Sequence, residues 1–342
     1  MARTTIRDIA RESGYSIGTV SRALNNQPGV SSSAREAILK VVEEYGFELN
    51  PNAKFLKQRV PEGIVILIRG SNNMLFAELL EKIQHYCQKK GYNTSVYYID
   101  ETSDEVIEAI KVISQRSPRG LLFLGSTREH FRRSFRQIHI PSIMVTNSAE
   151  GLPFENLSSV STNDAAAAQF TLEYLFSLGH ERIGVLGGFL SDSQAAKSRY
   201  QGVQFAYYNR QKTFDPNLQY VSDYFSIDGG YRAMDELLDK MPDLTAVYAM
   251  SDVMALGAVR CLADHGKKVP EEISIIGNDG IMLTAYTIPR LTTIRQDTDQ
   301  LAKRSVDLLL EQIENPGNPV YEETQFYLLQ GESVSAPGSN SN

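Results

Sequence analysis

Cysteine is nearly absent from this chain of 342 residues, which has only Cys87 and Cys261. Neither belongs to a CxxC or Cys/His cluster, and both fall in helical-looking segments. Buried free thiols are therefore expected, and a disulfide framework is not. The five histidines are scattered without metal-ligand spacing. No run approaches the ~18 apolar residues needed to span a membrane. The start, MARTTIRDIA, lacks the apolar core of a signal peptide, so a cytoplasmic location is expected. Around residues 184–193 a GxGxxG fingerprint, a P-loop lysine and a nucleophile-elbow motif are missing. The segment GVLGGFLSD carries glycines but neither phosphate signature, and Ser191, Asp192 and Ser193 lie together without a histidine partner. No catalytic residue, cofactor or metal is expected, and an enzyme is the weakest reading.

Positive charge is also short overall, with a net of −7, which at face value argues against nucleic acid. The distribution is uneven. Residues 1–60 carry 9 Lys and Arg against 6 Asp and Glu, a net of +3, while residues 61–342 carry 25 against 35, a net of −10. A basic head on an acidic body is the asymmetry of a protein that touches phosphate only through its head. A hydrophobic content of 42% and a charged content of 22% suit a globular protein, and the length suggests two or three domains.

In the head, Thr5 and Asp8 open a short helix with Ile6, Ile9 and Ala10 on one face, and Gly14 can end it. Ser16 is a good N-cap for a second helix with Val20 and Leu24 inward. Asn25, Asn26, Pro28 and Gly29 form a loop, and Ser31 to Ser33 cap a third helix carrying Ala34, Ile38, Val41, Val42 and Tyr45. Three short helices with a glycine turn between the first two make a helix-turn-helix. The second helix presents Thr19, Ser21, Arg22 and Asn25, small or forked donors suited to phosphates and base edges. Ile17 and Gly18 open it with one apolar side chain and none. Ile17 can pack on a thymine methyl, Gly18 lets the backbone approach, and Arg22 is the candidate for a guanine contact.

From Gly63 onward, short apolar runs (GIVILI, TSVYYI, GLLFLG, SIMVTN, then RIGVLGG, AVYAMSD, ISIIGND) alternate with helical stretches. Strand–helix alternation in two series implies two Rossmann-like α/β subdomains, each with a cleft at the C-terminal ends of its strands.

TIRDIA, GYSIGTVSRALN, GVSSSAREAI and NPNAKFL, in order over sixty residues, resemble the DNA-binding headpiece of the LacI/GalR family of bacterial regulators. LFAELLEKIQ, LGHERIGVLGG, SRYQGVQFA, SDVMALGAVRCL, VPEEISIIGND and PRLTTIRQD resemble its core, itself similar to periplasmic sugar-binding proteins. The resemblance implies a helix-turn-helix headpiece at 1–49, a hinge helix at 50–60 and an effector-binding, dimerising core at 61–330. The N-subdomain would be 61–162 plus 291–322 and the C-subdomain 163–290 plus 323–334, with a disordered tail at 335–342. It also implies that Thr5, Ser16, Ile17, Gly18, Thr19, Ser21, Arg22, Asn25, Ser31, Asn50, Ala53, Lys54 and Leu56 contact DNA. Leu56 would wedge into the minor groove. Motif matches nominate Phe76, Asp164, Arg199, Phe225, Ser251, Asp279 and Gln296 for the effector. Ser251 stands where the family usually has asparagine, and Asn163-Asp164 reverses the usual order.

The expected function is a dimeric repressor of a carbohydrate-utilisation operon. Its partners would be a palindromic double-stranded DNA operator and a small effector, a sugar or sugar phosphate, with no membrane. The alternatives are a regulator corepressed by a purine or a protein, or a sugar-binding receptor without DNA function.

Overall fold

The computed structural model describes residues 6–24, 28–45, 62–70, 73–100 and 103–338. The chain separates into two compact units, Met1–Val60 and Pro61–Asn342.

In the first unit, α1 (Ile6–Ser13), α2 (Ile17–Leu24) and α3 (Ser32–Glu44) close over a small core of Ile9, Ala10, Val20, Ala23 and Ile38. Gly14, at a φ of +73°, makes the turn between α1 and α2 that a side chain would resist. Ser31 caps α3 by accepting from the Ala34 amide (3.3 Å), and Arg35 donates to the Ala23 carbonyl at the end of α2 (3.0 Å). These bonds satisfy helix-end groups that have no partner within their own helix.

The second unit contains two sheets of six strands. The first joins β1 (Glu62–Arg69), β2 (Thr94–Ile99), β3 (Pro118–Leu124), β4 (Ser142–Thr146), β5 (Leu157–Thr162) and β11 (Tyr321–Thr324) in the order β11-β5-β4-β3-β1-β2, all parallel. The second joins β6 (Ile183–Gly187), β7 (Tyr220–Ser222), β8 (Ala246–Ala249), β9 (Ser274–Asp279), β10 (Thr292–Gln296) and β12 (Phe326–Leu329) in the order β12-β10-β9-β8-β6-β7. Only β12 runs antiparallel. The two orders correspond strand for strand, so the unit is a doubled α/β fold. Residues 64–68 of β1 are all buried, as a parallel strand covered on both faces requires.

The helices are α4 (Met74–Lys89), α5 (Glu105–Arg116), α6 (Arg128–Ser134), α7 (Asp164–Ser177), α8 (Gln194–Asn209), α9 (Pro216–Gln219), α10 (Ile227–Lys240), α11 (Asp252–Asp264) and α12 (Thr298–Glu314). Among the described residues, no helix is long and apolar enough to cross a membrane.

Two expected boundaries move. Residues 291–296 were expected in the N-subdomain, but β10 pairs with β9 and β12 and so lies in the second sheet. The chain crosses at about Asp297, after which α12 packs on α4 and the first sheet. The last crossing falls between Thr324 of β11 and Phe326 of β12, rather than near 322. The tail is also ordered further than expected. The Ser335 amide donates to Ser274 Oγ (3.0 Å), and its carbonyl accepts from buried His180 Nε2 (2.7 Å). A polar segment can be ordered when its backbone groups find buried partners.

Candidate functional site

In the first unit, the face of α2 that the core leaves free is the candidate reading surface. Ser16 accepts from the Thr19 amide (3.2 Å) and pairs with its hydroxyl (2.9 Å), which caps α2 and holds Thr19 at its first turn. Ser16, Ile17 and Gly18 are exposed, Ile17 by 47%, so an apolar side chain points to solvent where a grooved partner could cover it. Arg22 is exposed one turn further on. Its guanidinium passes over the space a Gly18 side chain would fill, with Nη2 3.8 Å from the position of an added Cβ. Thr19 and Ser21 are half-buried on the flank, and Ser31 is exposed at the start of α3. Of the thirteen expected DNA contacts, Thr5, Asn25, Asn50, Ala53, Lys54 and Leu56 lie outside the described residues.

In the second unit, the strands of both sheets end on one cavity of about 570 Å³, the size of a small-molecule site. All seven residues expected to meet an effector line it. At its floor, the buried Arg199 of α8 donates through Nε to Asp164 Oδ1 (2.8 Å), through Nη2 to Asp279 Oδ1 (3.1 Å) and through Nη1 to the Met250 carbonyl. Gln296 Nε2 (2.9 Å) and Asn278 Nδ2 (3.2 Å) donate to the same oxygen of Asp279. Burial pushes Asp279 and Asp164 above the usual carboxylate range, although Arg199 pulls the other way. Burial also opposes the charge on Arg199, but the two aspartates outweigh it and hold its pKa above the ordinary value. Arg199 was expected to meet the effector. Three of its five N–H groups serve protein acceptors instead, which leaves two for anything else.

The doubled fold repeats itself around the cavity. Thr146 ends β4 at a φ of +78°, and Asp279 ends the equivalent β9 at +118°, both unusual for residues with a side chain. Ser126 follows β3 and Ser251 follows the equivalent β8. Both are buried, at 2% and 4% exposed, and neither hydroxyl has a hydrogen-bond partner among the described residues. Ser251 is the N-cap of α11 yet makes no capping bond. Phe76 packs over Gly125 and Phe225 over Gly188, where a Cβ would meet ring carbons at 2.7 and 2.6 Å. Each phenylalanine therefore packs on its own subdomain's core and also faces the cavity.

Several lining residues were not anticipated. Thr127 and His130 are held from behind by buried Glu105, which takes the Thr127 amide (2.6 Å) and His130 Nδ1 (2.5 Å). Arg69, at the end of β1, donates to Thr127 Oγ1, which itself reaches across the cleft to the Asp192 carbonyl (3.3 Å). Phe189 and Tyr224 meet edge to face at the mouth, 5.3 Å between centroids. The available signal was position, because ligands bind beyond the carboxyl ends of strands and residues 69 and 126 follow apolar runs read as strands.

Two family models match the chain: bacterial regulatory proteins of the lacI family over residues 5–50, and the periplasmic binding protein-like domain over 172–334. The HTH-type transcriptional regulator MalR of Clostridium butyricum is 31% identical, covering 91% of this chain and 93% of that protein. The ribose operon repressor of Haemophilus influenzae is 30% identical, covering 91% and 92%. The HTH-type transcriptional repressor PurR of the same species is 28% identical over 90% and 91%. Among solved structures, the transcriptional regulator CelR in complex with cellobiose superposes with a TM-score of 0.71 at 26% identity. That match covers 97% of this chain and all of the other.

Proposed function

Because this chain belongs to the LacI family of bacterial regulatory proteins, we propose that it represses a carbohydrate-utilisation operon under the control of a small ligand bound in the cleft. The carrying observation is the pair of buried, unpartnered hydroxyls, Ser126 and Ser251, one from each sheet, on a single cavity. A buried hydroxyl without a partner is costly, and a polyol placed between the two would satisfy both. The Asp279 carboxylate and the remaining N–H groups of Arg199 add an acceptor and donors of the kind sugar hydroxyls need. Arg69 and Arg133 line the opposite wall and suit a sugar that carries a phosphate. The protein acts in the cytoplasm as a homodimer, since two headpieces are needed to read one palindrome.

A purine is the second reading. Phe76 and Phe225, each set on a glycine at a strand end, offer faces for a flat ring as well as for a sugar, and the PurR relatives carry that regulator's name. A thermal-shift screen of mono- and disaccharides, sugar phosphates and nucleobases separates the two, because a ligand that binds the native state raises its melting temperature. Operator affinity measured with and without each hit then distinguishes inducer from corepressor. If no compound shifts melting, the ligand reading fails while the DNA reading stands. For the DNA reading itself, Arg22→Ala should weaken binding to a selected palindromic duplex by about 1–3 kcal/mol and relax preference at one base pair. Unchanged affinity in a folded variant would remove Arg22 from the reading surface.

A further inference from the structure

At the far end of α11 from the cleft, the fold assembles three different ligand types from two helices. The α10 and α11 backbones approach closely at two glycines: a Cβ on Gly257 would stand 1.9 Å from the Ile227 carbonyl oxygen, and one on Gly230 2.1 Å from that of Met254. This approach brings Asp235 of α10 beside the last turn of α11. Asp235 Oδ1 is 3.1 Å from His265 Nε2. His265 Nδ1 is 2.9 Å from the Cys261 carbonyl oxygen and 3.7 Å from Cys261 Sγ. One donor atom from each of the three residues lies within 4.8 Å of the others. The neighbouring Asp264 is already engaged by Arg260 and by Tyr231 Oη (3.2 Å).

We propose that Asp235, Cys261 and His265 form a binding site for a zinc-class divalent cation. Thiolate, imidazole and carboxylate together are a zinc-type donor set. In a tetrahedral complex with metal–ligand bonds of about 2.0–2.3 Å, the donors stand about 3.3–3.6 Å apart. Asp235 and His265 are substantially exposed and free to adjust, while Cys261 is fixed in the C-subdomain core. An imidazole gives a metal one nitrogen. Nδ1 faces Cys261 Sγ (3.7 Å) and Nε2 faces Asp235 (3.1 Å), so the exposed ring turns to set one nitrogen between the two. The thiol proton passes to solvent as the metal–sulfur bond forms, and water fills the fourth position. The site is distinct from the effector cleft. Ser251 and His265 are fourteen residues apart along one helix, about 20 Å at 1.5 Å per residue.

The test titrates the chelator-stripped full-length protein with Co²⁺ as a spectroscopic probe, followed by competition with Zn²⁺. One equivalent should bind with a thiolate-to-cobalt charge-transfer band, and Cys261→Ser should abolish that band. Because Cys261 is buried and its substitution can impair folding, His265→Ala and Asp235→Ala are measured alongside. Each should weaken Co²⁺ binding about tenfold or more. The absence of a charge-transfer band in the wild type overturns the site. So does a band that survives in Cys261→Ser, whose source would then be Cys87, or unchanged affinity in both exposed variants.

Discussion

At single residues, two kinds of polar group line the cleft, and they predict opposite behaviour on substitution. Arg199 binds two buried aspartates, so replacing it strands both and damages the fold as well as any ligand contact. Ser251 is the reverse case, a hydroxyl buried at its desolvation cost with no bond in return. Ser251→Ala should therefore leave stability unchanged or raise it by up to about 1 kcal/mol, and lower affinity for the cleft ligand about five- to tenfold. Chemical denaturation and ligand titration on one preparation read both values, and a marked loss of stability would show that the hydroxyl is partnered after all. His180 carries a pH dependence. Burial lowers its pKa below 6.5, against the raising effect of its bond to the Ser335 carbonyl, and Nδ1 faces Thr245 Oγ1 at 3.0 Å. The folded state therefore resists protonation, while the unfolded chain takes up a proton as pH falls below about 6.5. Its contribution is thus fully present above that pH and is lost as pH falls through the folded value. The wild type should lose stability relative to His180→Gln as pH falls below about 6.5, and parallel pH profiles would refute this.

Among the elements, those legible in the sequence are the ones whose apolar residues are contiguous. The runs at 64–68, 121–124 and 275–277 stand out because parallel strands buried on both faces need them. The strand β5, reading LSSVST, was missed for a physical reason. It is fully buried, but its serines serve as acceptors, with Ser158 taking the Val320 amide (3.0 Å) and Ser159 the Ala149 amide (2.9 Å). Its polar letters read as a loop until the partners are known. The same holds for β10, where Thr293 donates to buried Asp252 (2.6 Å), and missing that strand displaced the second crossing point. The candidate cleft residues were legible through motif matches, whereas Thr127 and the Glu105 behind it were not, because their meaning arises only where the chain brings them together. Cys261 and His265 sit one helical turn apart in the sequence, but Asp235 joins them only through the glycine-mediated approach of α10 and α11. That approach is itself testable. A methyl on Gly257 would meet backbone atoms of Ile227 and Tyr231 at 1.9 and 2.6 Å, which no rotamer change can relieve. Gly257→Ala should cost about 1–3 kcal/mol, measured by chemical denaturation, and a neutral result would mean that the helices part freely.

For the whole molecule, the two sheets are not independent bodies. Ile281, which follows β9 of the second sheet, is buried in the core of the first subdomain, and Val253, Leu256 and Leu283 pack against the same cluster. Thr127 bridges to Asp192 on the cleft side, so both apolar packing and a hydrogen bond span the two subdomains. Three crossings of the chain, near residues 162, 297 and 325, complete the connection. A ligand held by residues from both walls contacts them differently when the walls are nearer or farther apart. Differential affinity of this kind is the only means by which a ligand can shift a conformational equilibrium. If that shift controls operator binding, thermodynamics demands reciprocity: whatever factor the ligand applies to operator affinity, the operator must apply to ligand affinity. Typical couplings are about 1–3 kcal/mol, or about 5- to 150-fold. The first ligand identified by thermal shift should therefore be titrated into the protein alone and into its saturated operator complex at fixed salt, since counterion release shifts DNA affinity by itself. The ratio of its two dissociation constants should equal the ratio of operator affinities measured with and without the ligand. Equal ligand affinity in the two titrations would show that the cleft does not regulate DNA binding, even if the ligand binds there.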